Sequence, residues 1–140
     1  MTANYLALGG LIIARVKEML PGVPCSVIWS LVEIQETKDP TTRVQVLFDA
    51  DLVGESTASG LSHGVTQTWT VLAAGRTVDP DVGELITRTI NALAGWKIPG
   101  YAVLKRVSAN LTPDRSAGGV YYFPLNFAVK FGYQNDPQGQ

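Results

Sequence analysis

One cysteine and one histidine stand in a chain of 140 residues. A lone Cys25 cannot close a disulfide within the chain, and it cannot build a multi-cysteine zinc site. A lone His63 leaves no second imidazole to serve as a general base. Long apolar runs are missing too. None approaches the roughly 20 residues that cross a bilayer, and the N-terminus lacks the basic start, apolar stretch and cleavage pattern of a signal peptide. A cytoplasmic site of synthesis with no membrane partner is therefore expected. Nor does either charge prevail. Eleven Lys and Arg against 12 Asp and Glu give a net charge of −1, so there is no basic field for gripping nucleic acid.

What is present is a globular composition, 46% hydrophobic, long enough for one domain with a sizeable core. The expected domain spans residues 1–133, with a flexible polar tail at 134–140. The chain is organised around residues 66–95. Trp69, Val71 and Ala73 alternate with Thr66, Thr68 and Thr70, which is the period of a strand with one buried side. Asp79 suits a helix N-cap and Pro80 the first helical position. Val82, Leu85, Ile86, Ile90 and Leu93 then form a helical stripe that Gly95 ends. Trp69 and Ile86 are expected to be buried between that strand and that helix.

Around this unit, residues 4–20 read as a first helix with Leu6, Ile12, Ile13, Val16, Met19 and Leu20 on its stripe. Gly9-Gly10 weakens this helix, and close packing against a neighbour is the simplest reason for it. Residues 26–36 read as a strand covered on both sides, 43–50 as a second strand, and 51–64 as a loop rich in Gly, Ser, Thr and Ala. Residues 101–111 read as a strand and 112–119 as a polar turn. In the last strand, 120–131, Tyr121, Phe123, Leu125, Phe127, Val129 and Phe131 share one face, and Pro124 on the other favours an edge or a bulge. The order α-β-β-β-α-β-β predicts an α+β fold: a mainly antiparallel sheet of about five strands with two helices packed on one face.

Candidate chemistry is sparse. Gly60-Leu61-Ser62-His63-Gly64 fits the nucleophile-elbow pattern, which works only between a buried strand and a helix. Here a polar stretch precedes it and a strand follows, so Ser62 and His63 are not expected to catalyse. Asp49 and Asp51, with Glu55 nearby, could meet a cation if both aspartates share a strand face; solvated strand-end charges explain them better. Asp79, Asp81 and Glu84 suit the start of a helix. Cys25 is expected to have no basic neighbour to lower its pKa, and it has no separate histidine to pair with, so it reads as a core or interface thiol. Lys105, Arg106, Arg115 and Lys130 could form a basic patch or simply an exposed mixed face. No catalytic, metal or cofactor-binding residue is expected from these patterns.

The order and character of the segments resemble the phage tail terminator (tail completion) proteins. The resemblance covers roughly residues 3–133. It is carried by Leu20-Pro21-Gly22 at the end of the first helix, Arg43-Val44-Gln45-Val46-Leu47-Phe48, Gln67-Thr68-Trp69-Thr70-Val71, Ala92-Leu93-Ala94-Gly95-Trp96 and Tyr121-Tyr122-Phe123-Pro124-Leu125-Asn126-Phe127. The resemblance implies a structural, non-enzymatic virion protein of the tail and neck region. It would form a ring of six subunits on the last disc of the tail tube, end tube growth and meet the head-side connector. In a contractile tail it would also meet the sheath protein, and DNA would be only passing cargo. Two alternatives fit the same residues: another neck or tail-tube subunit, which would polymerise alone, and a small ligand-binding or hydrolytic domain, which would need a deep polar-lined pocket.

Overall fold

The structure, a computed structural model, describes residues 4–56 and 62–134. Three long strands make its frame: β2 (Arg43–Ser56), β3 (Ser62–Gly75) and β6 (Tyr121–Gln134). They are joined by the short β1 (Cys25–Ile28), β4 (Lys105–Val107) and β5 (Asp114–Arg115). The strand order is β1-β2-β3-β6-β4, with β5 also on β6. β1 runs parallel to β2, and every other pairing is antiparallel. The expected α+β class and mainly antiparallel sheet hold.

The register explains the core. Val44, Val46 and Phe48 on β2 stand opposite Ala73, Val71 and Trp69 on β3, which in turn face Phe123, Leu125 and Phe127 on β6. Paired residues share a face, so period-2 alternation on three strands builds one apolar surface. Helices α1 (Ala7–Met19) and α3 (Gly83–Leu93) cover it. Leu8, Ile12, Val16 and Leu20, spaced by four, point inward from α1. The stripe is thus rotated from the expected one: Leu6 and Ile13 are half-buried and Met19 is 43% exposed. On α3 the buried line is Leu85, Thr89, Ala92 and Leu93, and Ile86 and Ile90 pack at its rim. Trp69 is fully buried as expected, but its ring lies against α1 at Gly9.

The expected strand at 26–36 is overturned. Only Cys25–Ile28 is strand; the chain then enters a five-residue helix, α2 (Leu31–Gln35). Ser30 Oγ accepts from the Val32 N–H at 3.3 Å, and Glu33 accepts from the Trp29 N–H at 3.2 Å. Ser30-Leu31-Val32-Glu33 is the S-x-x-E pattern of a capped helix start, and that is the physical reason the strand stops. Ile34 of α2 then joins Ile28, Leu72, Ala74, Val120 and Tyr122 in a second, smaller core on the opposite side of the sheet.

Two other segments differ from expectation. Much of the stretch 51–64 is strand, because β2 and β3 continue as an arm paired on to Ser56 opposite His63; residues 57–61 lie outside the described residues. The strand expected at 101–111 shrinks to Lys105–Val107. Before it, Trp96 and Leu104 pair across a small hairpin that turns at Pro99-Gly100, with Gly100 at φ 82°. Leu104, on the phase opposite to the expected one, is the buried residue there.

Pro124 stands opposite Leu72 inside the sheet, with β6 between β3 and the outer strands. On its outer side β4 pairs only as far as Asn126 and β5 begins at Tyr122. The edge expected for Pro124 is local: it falls in the gap between two short outer strands, where a missing N–H breaks no ladder.

Candidate functional site

Of the nucleophile-elbow pattern, Gly60 and Leu61 lie outside the described residues. Ser62, His63 and Gly64 open β3 in extended ladder, opposite Gln134, Tyr133 and Gly132. A strand, with no strand-to-helix turn, holds these three residues.

Asp49 and Asp51 are parted by a bulge. Phe48 pairs with Trp69 and Ala50 with Thr68, so Asp49 is the extra residue between them. One inserted residue turns the rest of a strand over. Asp49 accordingly accepts from Asn110 at 3.0 Å and Asn126 at 3.4 Å on the α2 face, and Asp51 accepts from Tyr5 Oη at 2.8 Å on the helix face. The shared face considered for the pair does not exist. Glu55 lies within β2 beyond the bulge, and among the described residues no three acidic, histidine or cysteine side chains gather to hold a metal ion.

The acidic residues near the second long helix also shift in role. The chain becomes helical already at Val78, in a π-helical turn (Val78–Val82) that leads straight into α3. Asp79 and Asp81 sit within this turn, so Asp79 does not occupy the expected cap position; Glu84 lies in the first turn of α3, exposed, where a negative charge suits the dipole. Cys25 is half-buried, with its thiol 3.7 Å from the Ile13 carbonyl. Burial pushes its pKa up, and attraction from Lys17, a basic neighbour that sequence spacing does not reveal, pulls weakly the other way. The four basic residues do not converge. Lys105 opposite Ala128 shares a face with Lys130, whereas Arg106 opposite Phe127 and Arg115 opposite Tyr121 belong to the other.

Two polar networks escape a sequence reading. Gln67 is fully buried on the helix face; it accepts from Trp69 Nε1 at 3.1 Å and donates to the Tyr5 carbonyl at 2.7 Å, tying the start of α1 to the sheet. On the opposite face, buried Thr70 donates to Asn126 at 2.8 Å, and Asn126 reaches Asp49. The only sequence signal for the first was an amide two residues from Trp69, in phase with an apolar face.

Two concave surfaces among the described residues are open grooves. One runs along the arm between Leu52, Val53, Gly64 and Phe131; another lies between β4 and β6 beside Pro124. More informative are exposed apolar side chains at the periphery: Leu52 at 72%, Trp29 at 59%, Val53 at 56% and Val32 at 52% exposure. They fall in two places, on the arm and beside β1, and leave apolar surface there for other proteins to cover.

The model of the family described as phage tail terminator protein matches residues 1–137. The chain belongs to the phage tail terminator family. It is a structural protein of the virion tail, and no helix among its described residues is long and apolar enough to cross a membrane. Its fold is similar to that of a chain in the solved virion of a native gene transfer agent particle. The likeness has a TM-score of 0.52 at 12% identity, covering 94% of this chain and all of the other. At that identity the likeness concerns the fold alone. No curated protein matches the sequence. The terminator segments noted in the sequence fall on the frame of the fold: the end of α1, β2, β3, the end of α3 and β6.

Proposed function

We propose that this terminator caps the head-proximal end of the phage tail tube as a ring of six subunits. The ring ends tube growth and offers its other side to the head-side connector protein. The observation that carries the reading is the family match over residues 1–137. The architecture supports it. A rigid sheet under two helices leaves an arm with Leu52 and Val53 unburied, long enough to reach a neighbouring ring. In a contractile tail the same periphery would also meet the sheath protein. No residue of the chain serves as a catalyst or holds a cofactor; docking alone performs the task, and DNA passes without being gripped by a surface of near-neutral charge. Residues 1–133 act as the docking domain; of the polar segment after it, Gln134 is the last residue of β6, and 135–140 lie outside the described residues.

The test is positional. Gold-labelled protein mixed with preformed tail tubes should be seen by electron microscopy as one ring at the head-proximal end, and removal of the gene should give tubes of uncontrolled length or tails that do not join heads. Label along the whole tube, or only at its distal tip, would overturn the reading.

A further inference from the structure

The sheet has two open edges, β1 at one end of the strand order and β4 at the other. Both are short, and both carry exposed apolar side chains: Trp29 and Val32 beside β1, and Val107, 39% exposed, on β4. Beside these apolar side chains the charges are opposite. Glu33 is exposed on α2 next to Val32, whereas Lys105 and Arg106 are exposed on β4.

The faces match as well. The Trp29 ring meets that of Trp69 with centroids 6.2 Å apart, so it stands on the helix face. Arg106, opposite Phe127, belongs to the same face. Ile34 anchors α2 on the other face, where Val32 and Glu33 are turned to solvent. Lys105 and Val107, opposite Ala128 and Asn126, belong to that second face. Each edge thus carries on each face a partner for what the other edge carries there.

We propose that the β1–α2 edge of one copy docks against the β4 edge of the next. On the helix face Arg106 lies over the Trp29 ring, and on the other Lys105 and Val107 meet Glu33 and Val32. The contact is a cation–π pair, an ion pair and an apolar pair around two strand ends. It deepens the ring reading above and rests on it. The two edges lie at opposite ends of one sheet, so the contact is head-to-tail: every copy keeps one edge of each kind to offer, and a fixed rotation closes a ring. A two-fold contact through either edge alone would set like charge against like.

Two single variants and their mixture test this. At the proposed ion pair, Glu33→Lys leaves a chain with a basic residue on both edges, and Lys105→Glu one with an acidic residue on both. Each alone should assemble on tube ends roughly tenfold or more less readily than the unaltered protein. Mixed in equal amounts they should recover, because each supplies the edge the other has lost, and the recovered rings should alternate the two chains. The readouts are sedimentation at high protein concentration and electron microscopy of tubes. Glu33→Lys also removes the acceptor for the Trp29 N–H, but Lys105→Glu has no such side effect, and recovery in the mixture requires that both chains are folded. If the single variants assemble normally, or if both fail and their mixture fails too, the edge pairing is wrong while the ring reading stands. If the unaltered protein forms no ring even on tube ends, the ring reading falls first.

Discussion

Gly9 of α1 and the indole of Trp69 are in contact so close that a Cβ on Gly9 would lie 2.8 Å from Cη2 and from Cζ3 of the ring. Neither side has room to yield, because Trp69 is fully buried and its Nε1 is held by Gln67. The next residue, Gly10, has nothing within 4 Å of its would-be Cβ. The two glycines of α1 should therefore respond in opposite directions. Gly9→Ala should destabilise by about 1–3 kcal/mol through overpacking. Gly10→Ala should stabilise by about 0.5–1 kcal/mol through the usual helix preference. Urea midpoints at unchanged slope would check both.

Gln67→Leu should lower stability by about 2 kcal/mol or more, although it puts an apolar side chain into an apolar place. It strands the buried Trp69 Nε1–H, which costs about 1–3 kcal/mol, and it removes the donor that reaches the partly buried Tyr5 carbonyl. A denaturation midpoint equal to that of the unaltered protein would show that the amide is dispensable.

The legible and illegible parts of the fold divide along a physical line. β6 could be read because Tyr121 to Phe131 alternate without interruption, and a sheet with one helix-covered face requires that pattern. Of the close packing expected at Gly9-Gly10, Gly9 has it and Gly10 does not, because residues adjacent on a helix face different ways and only Gly9 is turned to Trp69. The outer arm was not legible, because Leu52 and Val53 owe their strand to pairing with Thr66 and Val65, distant in sequence, and not to local preference. Residues 26–36 misled because apolar residues on both phases suit a doubly covered strand as well as a short helix. The Ser30 and Glu33 spacing was the local signal that decides between them. At the candidate site, the bulge at Asp49 could not be foreseen, since two-residue spacing implies a shared face until a register shift is known.

Among the described residues of the arm, Leu52 is the most exposed large apolar side chain, at 72%. Leu52→Ser should leave stability within about 0.5 kcal/mol and yet reduce capping of tail tubes, if the arm reaches a neighbouring ring. Thermal melting and tube-capping microscopy on the same preparation would separate the two effects; a loss of stability without a change in capping would assign the residue to the fold.

Cys25 should react slowly. Its raised pKa means that the folded protein favours the neutral thiol, and the thiolate is the nucleophile. Alkylation by iodoacetamide at mildly alkaline pH should lag well behind that of the unfolded chain. The sign for stability follows: the preference for the neutral thiol is fully present below the unfolded thiol's pKa and is lost as pH rises through the raised folded value. Equal rates of alkylation in folded and urea-unfolded protein would contradict this placement.

Ser62→Ala with His63→Ala should leave tube capping intact, and a serine-directed fluorophosphonate should label neither Ser62 nor any other serine. Both residues lie in extended strand, in pairing with β6.

The position of β6 also has a consequence for how the protein is made. It lies in the interior of the sheet, between β3 and the outer strands, yet every other strand precedes it in the chain. While a ribosome is still translating the earlier part, β3 has only β2 beside it, and the apolar faces that will meet Phe123, Leu125 and Phe127 remain open. Such non-local pairing is slow, because distant segments must find one another first. Folding is thereby timed to follow translation through about residue 134, and products cut short before β6 are left with open faces that chaperones and proteases recognise.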